Sequence, residues 1–251
     1  MARTTRASAG GELGLHGRVM SSLGQGIVEG DFRSGEILDL DELAEGFEVS
    51  RSVLREALRV LQSLGMIEAR QRVGTQVLPR ERWDLLNPQI IAWRGSGPDY
   101  FVQMRELIEL RLGIEPVAAK LAATAMPDED IVRVTSAGLE LVRASAAGDG
   151  RAFLDADVMF HTVILRGAGN SVMAHFAGTV EALLRTREDE RRFTITDYTP
   201  ASADRHDALG RALAARDADA AYLCSYALLD ATRDEFIAEA ALRMGGSGSL
   251  S

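Results

Sequence analysis

The chain has 251 residues, 46% of them hydrophobic, so it can bury one large core or two modest ones. No apolar run is long enough to span a membrane, and the N-terminus, MARTTRASAGGELG, lacks the apolar core of a signal peptide. The single cysteine, Cys224, excludes an internal disulfide. Together these features predict a cytoplasmic protein with no membrane association.

The net charge of −9 is unevenly distributed along the chain. Residues 81–251 contain 18 basic and 26 acidic side chains, a net charge of −8. Residues 50–80 contain six arginines and two glutamates, a local charge of +4. Because contact with DNA phosphates is local, a small basic surface on an acidic protein is compatible with DNA binding.

The N-terminal third begins with two predicted helices. Residues 1–12 are small, polar and glycine-bearing, which predicts a disordered arm. Residues 13–29 place apolar side chains at four-residue spacing and predict the first helix: Leu15, Val19, Leu23 and Ile27. A turn at 30–35 precedes a second, short helix at 41–47.

The next segment predicts a recognition helix followed by a wing. Ser50 can cap a helix over 51–64, and Gly65 can end it. Its core-facing side chains follow helical spacing: Leu54, Ala57, Leu58 and Leu61. Residues 66–70 and 75–78 then pair as a hairpin. Residues 13–79 are therefore predicted to form a winged helix-turn-helix domain.

The remainder of the chain is predicted to be helical. Residues 80–98 contain two prolines and two glycines and predict a linker, although Trp83 and Trp93 suggest that it packs against another element. Residues 99–243 predict an all-helical domain, and 244–251 a flexible tail. Its predicted helices are 99–125, 128–147, 150–167, 170–192, 202–215 and 217–243. The fold class is mainly α, an N-terminal winged helix-turn-helix plus a C-terminal all-helical bundle.

Arginines cluster at the start of the recognition helix and in the wing. A helix that enters the major groove reads bases from its N-terminal end, where Arg51, Ser52 and Arg55 lie. Arg59 is one turn further on and is expected to meet phosphate. Arg70 and Arg72 flank the wing turn that ends at Gly74, and this turn can approach the DNA backbone or the minor groove. The arginines alone also fit an ordinary solvated helix face. Their combination with a short helix, a capped helix, a glycine stop and a hairpin favours DNA binding.

Three residues of the helical part suggest a metal site. Asp157 and His161 are four residues apart on one predicted helix, so they share a face, and His206 comes from a later helix. One carboxylate and two imidazoles could hold Zn²⁺, Ni²⁺ or Mn²⁺. The alternative is a helical ion pair between Asp157 and His161, with His206 on the surface. A metal-dependent enzyme built on these three residues is a second hypothesis, but it leaves the winged domain without a purpose.

Two sets of motifs resemble the GntR family of bacterial transcription regulators. IVEGDFRSGEIL and ELAEGFEVSRSVLREALRVLQSLGMIEARQRVGTQV resemble its DNA-binding domain. ELRLGIEPVAAKLAA, DADVMFHTVI, GNSVM and RHDALGRALAARDADAA resemble the all-helical FCD effector domain of its FadR subfamily. The linker WDLLNPQIIAW is similar to that of galactonate-responsive repressors in this subfamily.

The chain departs from the family pattern at three places. A Pro-Ser-Glu run usually precedes the second helix, where this chain has Leu38, Asp39 and Leu40. The turn before Val-Ser usually has glycine, where this chain has Glu48. In many relatives a basic residue that touches DNA occupies the place of Asp41.

The resemblance implies a homodimeric repressor that binds a pseudo-palindromic operator and is released by a small organic acid, such as a sugar acid. It implies that Arg111 reaches into the effector cavity, where a guanidinium can clamp a carboxylate, with Arg105 a weaker candidate. It also implies a metal site of Asp157, His161, His206 and a fourth histidine, whose place aligns with Leu228. Without that histidine, three protein ligands would remain, and water or the effector would complete the coordination.

A third hypothesis for the function is a protein adaptor that uses the winged domain to bind another protein.

Overall fold

The computed structural model describes residues 14–188 and 199–246, and the chain divides into two compact units, residues 1–99 and 100–251. The predicted disordered arm at 1–12 lies outside the described residues. So do residues 189–192 of the predicted fourth helix of the C-terminal part, and residues 247–251 of the predicted tail.

The first unit combines four helices with a small sheet. The helices are α1 (Leu15–Glu29), α2 (Leu40–Gly46), α3 (Arg51–Ser63) and α4 (Pro88–Gly95), and the strands are β1 (Ile37–Leu38), β2 (Ile67–Arg70) and β3 (Gly74–Val77). The strand order is β1-β3-β2 with antiparallel pairing throughout. The hairpin of β2 and β3 confirms the predicted wing. Strand β1 was not predicted, because two residues are too few to show a period-two pattern.

The helix-turn-helix is built from capped, amphipathic helices. The Ser50 hydroxyl accepts a hydrogen bond from the backbone amide of Val53 (3.4 Å), and Asp39 caps α2 in the same way. The predicted inward face of α3 is buried as expected: Leu54, Ala57, Leu58 and Leu61. These side chains join the core formed with α1, so the opposite face of α3 is left to solvent.

The segment predicted as a linker folds with the first unit. It contains a 3-10 turn (Arg80–Arg82) and helix α4, which Asn87 caps. Trp93 of α4 is buried and packs directly over Gly24 of α1, where a Cβ atom would lie 2.4 Å from the indole ring. Helix α4 therefore continues the core of this unit, and the apolar residues of the linker account for that packing.

Gly65, between α3 and β2, is required by backbone geometry. Its φ is +72°, and a Cβ atom there would lie 2.2 Å from the carbonyl oxygen of Arg82. We expect Gly65→Ala to lower the free energy of unfolding by about 2–5 kcal/mol, through left-handed strain and the overlap with rigid backbone. The matched control is Gly46→Ala, since a Cβ atom at Gly46 meets nothing within 4 Å. Urea denaturation followed by circular dichroism measures both, and equal stabilities would contradict this role of Gly65.

The second unit is helical throughout its described residues, as predicted. Its helices are α5 (Tyr100–Ala125), α6 (Asp128–Ala147), α7 (Gly150–Gly167), α8 (Ser171–Arg185), α9 (Pro200–Ala214) and α10 (Ala218–Gly246). Helix α7 packs against α5, α6 and α8 and is buried over most of its length, so polar side chains on it lie inside the bundle. Helix α10 reaches Gly246, which corrects the predicted tail at residues 244–246. No helix among the described residues is long and apolar enough to cross a membrane.

Candidate DNA-binding surface and buried polar site

The solvent face of α3 presents the predicted reading residues. Arg51, Ser52, Arg55 and Arg59 are all exposed, and the Ser52 hydroxyl is 2.8 Å from that of Ser50 at the start of the helix. The arrangement follows from the amphipathic pattern, because the buried leucines fix which face points outward. Side chains on this face are free to approach base edges and phosphates.

The wing turn places its basic residues in a tight loop. Arg70 and Arg72 are exposed, and Arg72 has a φ of +66°. Gly74 has a φ of +115° and begins β3. Positive φ angles at two of its residues let the chain reverse direction within a short turn.

Acidic side chains sit among these arginines. Three arginines are each paired with an acid of the same unit: Arg51 with Asp41 (2.8 Å), Arg59 with Glu56 (2.6 Å) and Arg70 with Glu68 (2.7 Å). Among the described residues, Arg55 and Arg72 form no ion pair. Asp41, which replaces the usual basic residue, thus contacts the first residue of the recognition helix.

The turn before α3 carries another of the three departures from the family pattern. Glu48 has a φ of +54°, in the left-handed region that favours glycine. The backbone therefore keeps the conformation that the usual glycine adopts without strain, and the chain tolerates an exposed glutamate there.

Asp157 and His161 of α7 meet His206 of α9 inside the second unit. Their side chains are each about 4% exposed. The Nε2 atom of His161 is 3.2 Å from Asp157 Oδ1, and the Nε2 atom of His206 is 3.0 Å from the same oxygen. The two Nε2 atoms are 3.3 Å apart. The structure thus brings the three predicted ligands together. The helical pairing of Asp157 with His161 that the alternative describes is present, but His206 is buried beside it and does not lie on the surface.

The opposite nitrogen of each imidazole is held by another group. His206 Nδ1 donates to the backbone carbonyl of Ser202 (2.8 Å), which leaves Nε2 of a neutral ring as an acceptor. His161 Nδ1 is 2.6 Å from the Glu115 carboxylate. Metal-ligating histidines are commonly oriented in this way. The Nε2 atoms of His161 and His206 converge on one carboxylate oxygen of Asp157. Because all three atoms are acceptors, they need a shared cation, either a proton or a metal ion, to hold them together. The donor set therefore fits a divalent ion.

Glu115 and Arg111 extend this cluster on helix α5. Arg111 Nε donates to Glu115 Oε1 (2.5 Å), and both side chains are 4% exposed. Burial alone would raise the pKa of Glu115, but the Arg111 guanidinium and His161 outweigh it and lower this pKa to about 2. Burial would likewise lower the pKa of His161, yet the Glu115 carboxylate raises it above its ordinary value.

Asp157 is ionised for a similar reason. Burial opposes its charge, but the adjoining imidazoles of His161 and His206 outweigh burial and hold the pKa of Asp157 well below the ordinary value. The guanidinium of Arg187 lies 3.5 Å from its second oxygen and is also buried. With neutral imidazoles, the four charged side chains of the cluster sum to zero: Arg111, Glu115, Asp157 and Arg187.

Sequence reasoning missed Glu115 and Arg187. Glu115 follows Arg111 by four residues, a spacing that allows an ion pair on one helix face, so the sequence did contain a clue to it. Arg187 stands in a run of charged residues that looks solvated, and only the tertiary structure shows that it is buried.

The two predicted arginines differ in their surroundings. Arg111 lines a narrow cavity between α5 and α8, whose walls include Leu110, Ile114 and Thr179. Arg105 is exposed. Leu228, at the place of the family's fourth histidine, is 1% exposed within the apolar core. The described residues therefore supply three metal ligands at most in this cluster.

An N-terminal winged helix-turn-helix joined in one chain to a C-terminal helical bundle is the domain organisation of a class of DNA-binding regulators. Residues 15–77 match the family model of bacterial regulatory proteins of the gntR family, and residues 106–231 match the FCD domain. The chain belongs to the GntR family and carries its FCD domain. It is a DNA-binding transcription regulator, and the enzyme hypothesis has no support.

Relatives share most of the chain's length. It is 30% identical to YieP, an uncharacterized HTH-type transcriptional regulator of Escherichia coli, over 82% of this chain and 89% of that protein. It is 29% identical to the galactonate operon transcriptional repressor of Escherichia coli, over 81% and 89%. The solved structure of Lar, which controls the Listeria monocytogenes agr system, has a TM-score of 0.59 at 20% identity, covering 91% of this chain and 99% of that one, and supports the fold.

Proposed function

We propose that the chain is a homodimeric cytoplasmic repressor whose two α3 helices enter successive major grooves of a pseudo-palindromic operator. The observation that carries this proposal is the exposed face of α3, where Arg51, Ser52 and Arg55 are presented by a capped helix over a packed core. Arg55 in particular is exposed and forms no ion pair among the described residues. The DNA backbone on either side of these base contacts is bound by Arg59 of α3 and by three wing residues, Arg70, Arg72 and Gly74.

The second unit binds a small organic acid. Arg111 lines a cavity of only about 10 Å³ between α5 and α8, so these helices must move apart before the acid enters. The Arg111 guanidinium can then exchange its bond to Glu115 for a bidentate contact with a carboxylate. A sugar acid is the first class to test, since the galactonate operon repressor is among the relatives. The acid would shift the dimer between arrangements that do and do not fit the operator.

Asp157, His161 and His206 hold a divalent ion, Zn²⁺, Ni²⁺ or Mn²⁺, in this proposal. Such an ion supplies positive charge and an open coordination position. The charged side chains of the cluster already balance one another, so an added divalent ion leaves an excess of positive charge in a buried site. An anionic effector next to Arg111 neutralises part of that excess, which supports a carboxylate as the ligand.

The proposal is tested by fluorescence anisotropy of the full chain with labelled DNA from upstream of its own gene, at stated salt and with excess competitor DNA. We expect tight binding that resists the competitor, and release when the right acid is added from a panel of sugar acids, hydroxy acids and short fatty acids. Weak binding that competitor DNA abolishes, on this DNA and on a selected pool, would contradict the proposal.

The metal site predicts a stabilisation that depends on its ligands. We expect Zn²⁺, Ni²⁺ or Mn²⁺, added to chelator-treated protein, to raise the Tm by several degrees, because the ion binds only the folded state. His206→Ala should remove the shift. The matched control is His175→Ala, which removes an exposed histidine outside the cluster and should keep it. Differential scanning fluorimetry measures both, and an equal shift in His206→Ala would refute the site.

A further inference from the structure

Asp41 and Arg51 form an ion pair on the surface that we propose to face DNA. The Arg51 guanidinium is 2.8 Å from Asp41 Oδ1, and the two side chains are 73% and 70% exposed. The pair joins the first turn of α2 to the first residue of α3. Both groups are open to solvent, so both are accessible to a second molecule.

The backbone holds both side chains in place. The Asp39 carboxylate caps α2 by accepting hydrogen bonds from the amides of Asp41 (2.9 Å) and Glu42 (3.1 Å). Ser50 caps α3 immediately before Arg51. The two N-caps therefore fix the backbone positions from which the Asp41 and Arg51 side chains extend. The ion pair in turn limits the rotamers of the long Arg51 side chain before DNA binds.

A carboxylate at this place can make only certain contacts with a base pair. A carboxylate only accepts hydrogen bonds, and the major groove offers two donors, the N4 amine of cytosine and the N6 amine of adenine. Arg51 only donates, and its fork matches O6 and N7 of guanine. An acid beside phosphates lowers affinity for any DNA sequence. Discrimination between bases is a benefit that can offset this loss.

We propose that Asp41 is a specificity-determining residue: with Arg51 it reads a guanine and a neighbouring cytosine or adenine amine in each half-site. The inference rests on the proposed function, in which Arg51 enters the major groove. Asp41 acts in two ways, because its carboxylate orients the guanidinium and itself accepts from a base. Sequences that lack the amine leave this carboxylate buried against the DNA without a donor.

The test is selection of binding sites from a random DNA pool with the full chain, followed by affinity measurements on single-base variants of the selected site. Asp41→Asn removes the charge and keeps the size. The matched control is Glu45→Gln, which removes one exposed charge from the same helix, at a residue with no ion pair among those described. Both changes should raise affinity for non-specific DNA by a similar small factor.

We expect Asp41→Ala, which removes the hydrogen-bond acceptor that Asp41→Asn keeps, to lose about tenfold or more of the preference at one amine-bearing position per half-site and to weaken the guanine preference beside it. Asp41→Asn, whose amide can still pair with adenine, tests the charge alone. Arg51→Ala should lose the guanine preference in full. A base-preference profile in Asp41→Ala that matches the wild-type profile would overturn the inference, even if its overall affinity rises. If the wild-type chain selects no sequence at all, the proposed DNA-reading function fails first, so the two failures are distinguishable.

Discussion

Replacement of Arg51 or Arg55 by alanine should abolish specific operator binding while the chain remains folded. Each side chain is exposed, so its loss creates no cavity. One bidentate contact to a guanine contributes about 1–3 kcal/mol, and a homodimer loses it in both half-sites. The expected loss of about 2–6 kcal/mol lowers affinity by roughly 30-fold to 10⁴-fold. Anisotropy titrations with the selected operator measure it.

Arg18→Ala is the matched control, because Arg18 is an exposed arginine on α1, away from the recognition helix in sequence. It removes the same charge and should leave specific affinity nearly unchanged. Unaltered circular dichroism and thermal unfolding of all three variants show that the fold is intact. Specific binding retained by both Arg51→Ala and Arg55→Ala would mean that α3 does not read the operator.

Arg111→Ala should be strongly destabilising to the second unit. It leaves the Glu115 carboxylate buried without its guanidinium partner, a loss that costs about 3–5 kcal/mol for a buried pair. A double variant, Arg111→Met with Glu115→Gln, removes both charges and replaces the two side chains with neutral ones of similar size. The double variant should therefore recover much of the stability. Urea denaturation of the full chain measures the difference.

A cost below about 1 kcal/mol for Arg111→Ala would show that water reaches the pair and that it behaves as a surface ion pair. The double variant also separates stability from function. Because it should remain folded, its failure to release DNA on addition of the effector would assign the loss to the buried site that Arg111 and Glu115 form with His161, and not to unfolding. A normal release by that variant would remove Arg111 from the effector site.

The sequence predicted those features that depend on local pattern. The amphipathic spacing in α3, the Ser50 cap and the Gly65 stop all act within a few residues, and each was confirmed. The meeting of Asp157, His161 and His206 was also predicted, although the contact of His206 with α7 drew on the family resemblance. The remaining members of that cluster depend on packing between helices distant in the chain.

The missed features have physical reasons. Glu115 is an acid on a long helix, a residue type that is rarely buried unless it is paired, so composition gave no reason to place it inside. Strand β1 exists only because Ile37 and Leu38 pair with β3, about forty residues later. The burial of α4 depends on the contact between Trp93 and Gly24, which lie far apart in sequence.

The acids beside the DNA-facing arginines affect how the regulator responds to its ionic surroundings. DNA that binds an arginine releases a condensed cation, which makes affinity fall steeply with salt. Here Arg59 and Arg70 each leave a carboxylate when they bind phosphate, and that carboxylate then attracts a cation from solution. This uptake of cations by the protein carboxylates offsets part of the release of cations from the DNA. Occupancy of the operator should therefore vary less with the salt content of the cell than the number of arginines on this surface would suggest.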